Sequence, residues 1–479
     1  MAFGIDFGTT NTAVVFDETT LLRGPSNGPI PTAIAINRAT GEVKCGDEVK
    51  QRQEELRDAN YEVVLSVKTH LGTDHRWNTP DRSWTPVDIA EEFFRHLVNH
   101  VRLQSKRDLR EAVLSIPVGF RRAKRQSLRE AAQRAGVVIT DFVSEPTAAF
   151  LRYRKDLGNC STLAVFDWGG GTLDVSVLSV GGGQIRELAV DGMALAGDAI
   201  DNHIAEWAHR QLTLGMPDAP AFKHVSPRDK DRLRYRCEVA KQTLSRETET
   251  TITVPGYLGE AAPSVRIERP LLADLVHPIV ESAVEVLRRA LNSANVGTRV
   301  VDQIVLVGGS SQLVSVQDRL EELFSGRVFH GREPEWAVAQ GASALANNPG
   351  QFKVLDRIEL RLADTSALPL VEPGDPFDGL PEHHVLGIVE DARSAELVFC
   401  RSRDLESSTH GATDTENIGY VSVPMQGFDR ERLEVSTMLT RDLTFQARAQ
   451  SQAGNDGDIR EFEYEKLRFT YNISGTDRK

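Results

Sequence analysis

The feature that most constrains this 479-residue chain is one short pattern written twice. Phe3-Gly-Ile-Asp-Phe-Gly-Thr-Thr-Asn-Thr12 and Leu163-Ala-Val-Phe-Asp-Trp-Gly-Gly-Gly-Thr-Leu-Asp-Val175 each run from an apolar strand through an aspartate and a glycine turn to a threonine, then into a second β run. A duplicated unit of this kind predicts one copy per lobe, the two facing a shared cleft. A third run, Ile304-Val-Leu-Val-Gly-Gly-Ser310, also ends in glycines. Glycine lets the backbone turn tightly and approach a ligand closely, so N–H groups beside threonine hydroxyls make a phosphate cradle. Gly8-Thr9-Thr10-Asn11 and Gly169-Gly170-Gly171-Thr172 both have that form. Taken singly, each could be an ordinary hairpin; a strand-borne aspartate before both is harder to explain that way. Asp6 and Asp167, with Asp174 beyond the second turn, would converge as a carboxylate ring suited to hydrated Mg²⁺. Read alone, Asp174 is as much a turn-capping aspartate as a member of that ring. There is no Walker-A lysine-serine signature and no Gly-x-Gly-x-x-Gly opening a helix, which disfavours both of those nucleotide folds.

From residue 1 to 347 short β-branched runs alternate with helical patterns, an α/β signature. Ile89, Phe93, Leu97 and Val101 paint one face of a helix over Pro86 to Gln104. Leu272, Leu275, Ile279, Ala283, Val286 and Ala290 write another, with a kink predicted at Pro278. On a third, Leu233, Cys237, Ala240 and Leu244 form the buried face, leaving Glu238, Lys241, Gln242 and Ser245 on an adjoining one. Its plain reading is a solvated, salt-bridging helix. After Asn347-Asn-Pro-Gly350 the texture changes to short alternating strands separated by turn formers, which predicts a connector over 348–360 and an all-β module over 361–479.

Composition removes several classes. The formal charge of −13 leaves no broad nucleic-acid footprint. The densest basic cluster, Arg121-Arg-Ala-Lys-Arg125 with Arg129 and Arg134, lacks interleaved aromatics and is better read as a solvated face or partner surface. Cys45, Cys160, Cys237 and Cys400 are far apart, against structural zinc or a disulfide framework and in favour of a reducing cytoplasm. No run reaches the roughly 18 apolar residues of a membrane span, and Asp6 interrupts any signal peptide.

The set Gly4-Ile-Asp-Phe-Gly-Thr-Thr-Asn11, Phe166-Asp-Trp-Gly-Gly-Gly-Thr-Leu-Asp-Val-Ser176 and Ile304-Val-Leu-Val-Gly-Gly-Ser-Ser311, with Ser144-Glu-Pro-Thr-Ala-Ala149, resembles the heat-shock protein 70 (DnaK-type) chaperones of the actin-like ATPase superfamily. The resemblance implies an α/β two-lobed actin-like ATPase, a duplicated ribonuclease-H-like fold, over residues 1–347. A linker over 348–360 and a small β-sandwich-like, peptide-binding domain over 361–479 would follow. It implies ATP/ADP and Mg²⁺, with K⁺ as an accompanying ion. Thr9, Thr10 and Thr172 would contact phosphates, Asp6 and Asp167 would hold Mg²⁺ through water, and Lys68 would stabilise the γ-phosphate and attacking water. Glu145 and Asp174 would join the water network. Gly197, Glu238, Lys241, Gln242, Ser245, Gly308, Gly309 and Ser310 would surround the nucleoside, with Gln242 standing where an arginine is usual. Pro117 and Arg125 match a pair that relays nucleotide state.

The implied function is a slow, cytoplasmic ATPase chaperone for protein folding and the stress response. Its partners would be unfolded or extended peptide clients, a J-domain-type cochaperone and a nucleotide exchange factor, with no nucleic acid and no membrane. Two departures stand out: Lys353-Val-Leu-Asp356 keeps only a remnant of the family connector, and the helical lid is absent. The alternatives are a regulatory or co-chaperone relative with weak turnover, an actin-like polymerising ATPase, and a small-molecule kinase of the same superfamily.

Overall fold

Both glycine turns are the tips of antiparallel hairpins. In the computed structural model Phe3–Phe7 pairs with Asn11–Phe16, and Thr162–Trp168 with Leu173–Gly181. Each hairpin's first strand also takes a parallel neighbour, Glu111–Ile116 in one case and Gln303–Val307 in the other. The repeated sequence pattern is therefore a repeated strand wiring. The structure describes residues 3–80, 82–117, 120–296, 300–347, 352–364, 366–387, 393–403, 414–426, 431–465 and 467–472, so residues 348–351 of the predicted connector lie outside the described residues.

The chain forms two compact units that do not follow a single cut: Met1–Val118, Ser127–Val180 and Leu188–Asn347 make the first, and Gly119–Gln126, Gly181–Glu187 and Asn348–Lys479 the second. The first unit is mixed α/β. Its best-marked helix, Pro86–Ser105, starts where the sequence says it should. Thr85 caps it with a reciprocal hydrogen-bond box to Asp88, Pro86 takes the first turn, and Lys106 closes it in the left-handed region at φ 58°. Its apolar stripe is fully buried, and Phe94 stacks on Phe7 of the first hairpin at 5.3 Å. The long helix Arg269–Ser293 passes through Pro278 as one element, its buried face continuing on both sides of the proline.

Close packing behind the first hairpin depends on a missing side chain. A Cβ on Gly341, in the helix Ala337–Ala346, would stand 1.8 Å from the carbonyl oxygen of Ala148 in the helix Glu145–Leu157. Only glycine allows the helices to cross that closely. This contact fixes the helix whose first residue is Glu145.

In the second unit the regular elements described between residues 352 and 472 are strands and one short 3₁₀ turn. One sheet runs Ala367–Val371, Arg357–Arg361, Ser394–Arg403, Asp414–Pro424; another runs Pro381–Gly387, Arg432–Thr440, Thr444–Ser451, Arg460–Tyr464. Burial alternates along Arg432–Thr440, as a half-buried strand requires. Phe399 stacks on Phe462 at 4.4 Å and meets Phe445 at 5.9 Å, tying the two sheets together.

Candidate functional site

The two glycine turns interlock. A Cβ on Gly170 would lie 2.3 Å from the Thr10 hydroxyl oxygen, and one on Gly171 would lie 3.1 Å from the Thr9 methyl. Each turn is also held from behind. The Gly169 N–H donates to the Thr172 carbonyl at 3.0 Å, and the Thr10 carbonyl accepts from the Thr32 N–H at 2.9 Å. Thr9, Thr10 and Gly169–Gly171 are partly open, while Asn11 and Thr172 are exposed, so parts of both turns stay accessible.

Behind the turns sits a charge cluster. Lys68 and Glu145, 6% and 8% exposed, form an ion pair with Nζ donating to Oε1 at 3.0 Å. Burial opposes the charge on Lys68, but Glu145, Asp6 and Asp174 outweigh it and raise its pKa above the ordinary lysine value. Asp6 accepts from the Ser115 hydroxyl at 2.8 Å. Burial, and after it Glu145, pushes Asp6 up to about 6 against the pull of Lys68. Burial and Glu145 likewise push Asp174 up to about 6 against a hydrogen bond from Thr172. Asp167 is raised well above the carboxylate range by burial, then by Glu145, Asp6 and Asp174 together. Glu145 thus raises all three aspartates, and Asp6 and Asp174 both raise Asp167. With four of them around one lysine, the cluster is short of positive charge.

That deficit is what a divalent cation would fill. Among the described residues no three His, Cys, Asp or Glu side chains stand close enough together to hold a bare metal ion. The donor set suits a cation that keeps its waters, which Mg²⁺ does.

A second cluster flanks the second turn. The helix Gly197–Leu212 begins against it: the Gly197 and Asp198 N–H groups donate to the Gly169 and Gly170 carbonyls at 3.2 and 2.7 Å. The Ser310 hydroxyl donates to the Gly169 carbonyl at 2.7 Å. Gly308, at φ 80°, is where glycine is required, because a Cβ would fall 2.5 Å from the Trp168 carbonyl. Lys241, 8% exposed on the helix Pro227–Leu244, donates to the Gly197 carbonyl at 3.1 Å and pairs with Asp201 at 2.8 Å. Glu238, three residues earlier, pairs with Lys50 at 2.9 Å. Gln242 is exposed, and the Ser245 hydroxyl donates to the Lys241 carbonyl at 3.3 Å.

Ser115, Asp201 and Lys50 are functional candidates that the sequence reading missed. Asp201 had a weak signal, one turn beyond Gly197 on the same helix face; Ser115 and Lys50 had none. Of the predicted relay pair, Pro117 follows the strand Glu111–Ile116 and is partly buried. Arg125, in the second unit, is 6% exposed, with Nη1 donating to the Phe120 carbonyl and Nε and Nη2 without hydrogen-bond partners. Burial lowers its pKa, while Asp442, Glu465 and Glu463 favour its charge. Much of the basic run is answered by acids: Arg122 pairs with Glu463, and Arg134 with Asp88 and Glu130. Among the described residues no helix is long and apolar enough to cross a membrane.

A family model described as Hsp70 protein matches residues 23–371, most of the chain. The match begins after the first glycine turn, so the interlocking of that turn with the second is an independent observation. With the duplicated hairpins, the buried Lys68–Glu145 pair and this match together, the chain belongs to the Hsp70 family, whose members are ATP-binding chaperone ATPases.

Proposed function

We propose that this chain binds ATP with Mg²⁺, hydrolyses it slowly to ADP, and uses the change of state to modulate the binding of extended peptide clients by the strands of residues 361–479. The observation that carries the reading is the Lys68–Glu145 pair, 3.0 Å long and buried, set among Asp6, Asp167 and Asp174 directly behind two interlocking phosphate-type turns.

In this reading the backbone of Gly8–Asn11 and Gly169–Gly171, with the hydroxyls of Thr9, Thr10 and Thr172, receives the phosphates. Asp6 and Asp167 hold the metal ion through its waters, and the bound ion would supply charge neutralisation on the phosphates. Lys68 keeps its proton and presents a fixed positive charge to the terminal phosphate and the attacking water. Glu145 aims the lysine, and Asp174 orders water beside it. Phosphoryl transfer asks little covalent chemistry of the protein, so positioning and electrostatic stabilisation carry the rate. Lys241, Glu238, Ser245, Gln242, Gly197, Gly308, Gly309 and Ser310 bound the nucleoside side, where Lys241 is immobilised by Asp201 and the Gly197 carbonyl. Pro117 and Arg125 relay the state of the site, and residues 1–347 act as a two-lobed ATPase in the cytoplasm.

The test is steady-state ATP hydrolysis by wild type and Lys68→Ala, with and without an unfolded peptide. Hydrolysis that Lys68→Ala abolishes and peptide accelerates is expected. No hydrolysis by wild type would sink the ATPase reading in favour of a regulatory, nucleotide-binding relative. Hydrolysis indifferent to peptide would remove the coupling.

A further inference from the structure

Residues 352–356, which the sequence reads as a connector, are built into a sheet. Phe352–Val354 is a strand, antiparallel to Phe469–Asn472, with Phe352 opposite Tyr471, Lys353 opposite Thr470 and Val354 opposite Phe469. The opposite edge of Phe469–Asn472 is also taken: Gln184, Ile185 and Arg186 face Asn472, Tyr471 and Thr470. One late strand thus lies between the connector and a hairpin segment from far earlier in the chain, all within the second unit.

The fastening goes beyond backbone pairing. The Thr470 hydroxyl, 1% exposed, donates to the Ile185 carbonyl at 2.9 Å. On the connector side, the Leu355 N–H donates to the Arg468 carbonyl at 2.9 Å. Asp356, fully buried, accepts from the Arg468 backbone N–H at 2.6 Å and from its Nε at 2.8 Å. The far side of the connector is closed as well, since the Gly374 N–H donates to the Val354 carbonyl at 2.8 Å and the Val354 N–H to the Asp375 carbonyl at 3.0 Å. Freeing the connector therefore means opening a strand pair on one side and backbone hydrogen bonds on the other, and taking from a buried carboxylate both of its Arg468 hydrogen bonds while leaving it Arg401 at 3.9 Å, which is unfavourable.

We propose that the strand Phe469–Asn472, with Arg468, is a built-in latch that holds residues 352–356 in one place whatever nucleotide is bound. The connector of this chain is then a fixed strut, and nucleotide state reaches the strands of residues 361–479 without the connector being released.

Hydrogen exchange on the full-length chain, without nucleotide, with ADP and with ATP, tests this, because exchange of strand amides reports local opening. The amides of 352–356 should be protected in wild type, with rates within about threefold of one another in the three conditions. Thr470→Pro, a proline in a central strand, should speed exchange at 352–356 and 184–186 by about tenfold or more, leaving Phe3–Phe7 unchanged. If Thr470→Pro also exposes Arg432–Ser451, Arg468→Met decides instead: faster exchange confined to 352–356 and 184–186 supports the latch, and unchanged exchange there overturns it. Wild-type exchange at 352–356 that differs strongly between ATP and ADP also overturns it. Only the nucleotide arm rests on the ATPase reading. Exchange without nucleotide judges the latch even if the chain hydrolyses no ATP.

Discussion

Among the described residues of the first unit, two buried lysine–carboxylate pairs have nearly equal length, and their surroundings differ in charge balance. Lys68, 3.0 Å from Glu145, must also answer Asp6, Asp167 and Asp174. Lys241, 2.8 Å from Asp201, has Lys50 nearby to neutralise Glu238 at 2.9 Å. The first cluster is short of positive charge, which a bound cation would supply; the second is close to balanced. A buried ion pair is thus a poor label for a role. The uncompensated charge around the pair is what would separate a centre that works on a ligand, as proposed for Lys68, from one that holds a shape.

Breaking the first pair should have the largest effect. Lys68→Ala leaves the phosphate turns intact but removes the fixed positive charge, so turnover should fall by about 10²–10³-fold, the loss expected when one preorganised electrostatic contact is deleted. Nucleotide titration should still show binding. A variant turning over within about threefold of wild type would move the chemistry away from Lys68.

Breaking the second pair should act on stability first. Lys241→Ala strands Asp201, 6% exposed, without its cation. Removing one member of a buried pair costs about 3–5 kcal/mol, read as a lowered denaturation midpoint. Asp201 is already pushed up to about 6, by burial first, with Glu238 adding to it against Lys241. The variant should therefore recover stability as pH falls through the titration of that group. A Lys241→Ala protein as stable as wild type at neutral pH would contradict a shape-holding role.

The fold was legible where local chemistry decided it. The stripe Ile89, Phe93, Leu97, Val101 writes a buried helix face over Pro86 to Gln104, and Pro86–Ser105 is the result. The short alternating strands expected after residue 350 find an example in Arg432–Thr440, paired with Thr444–Ser451, since alternation sets which side chains turn inward. Of the site, the aspartates and glycines could be read because each lies within a strand-turn pattern. Their supports could not. Ser115 meets Asp6 across 109 positions, and outside the site Thr470 meets Ile185 across 285. Pairing at such separations is chosen by the packing of the whole sheet, and a serine or threonine in a β run carries no mark of its partner.

Proton competition should separate the clusters next. Asp6 and Asp174 sit at about 6 in the nucleotide-free protein, so both take up protons as pH drops through that value. A protonated carboxyl cannot hold a hydrated cation. Magnesium-dependent ADP affinity, measured by calorimetry, should weaken as pH falls through 6, by about tenfold per pH unit and bound proton. Stability of the nucleotide-free fold runs the opposite way. Its raised carboxyls bind protons that the unfolded chain releases, so stability rises as pH falls from about 6 towards the ordinary carboxylate value, then gains no more. Affinity independent of pH down to 5 would remove Asp6 and Asp174 from the metal's surroundings.

The smallest effect should come from adding charge to the balanced cluster. Gln242 is exposed on the helix that carries Glu238 and Lys241, and it stands where the resemblance places an arginine. A guanidinium there can lie flat against a base, an interaction of about 0.5–1 kcal/mol at an open site. Gln242→Arg should therefore slow ADP release by about two- to fivefold while the rate of the hydrolytic step stays constant, because the new group is remote from Lys68 and its aspartates. Stopped-flow displacement of a fluorescent ADP, beside single-turnover hydrolysis, resolves the two rates. If hydrolysis shifts and release does not, the two clusters are one electrostatic system, and the distinction between a centre that lacks a cation and one that lacks nothing fails.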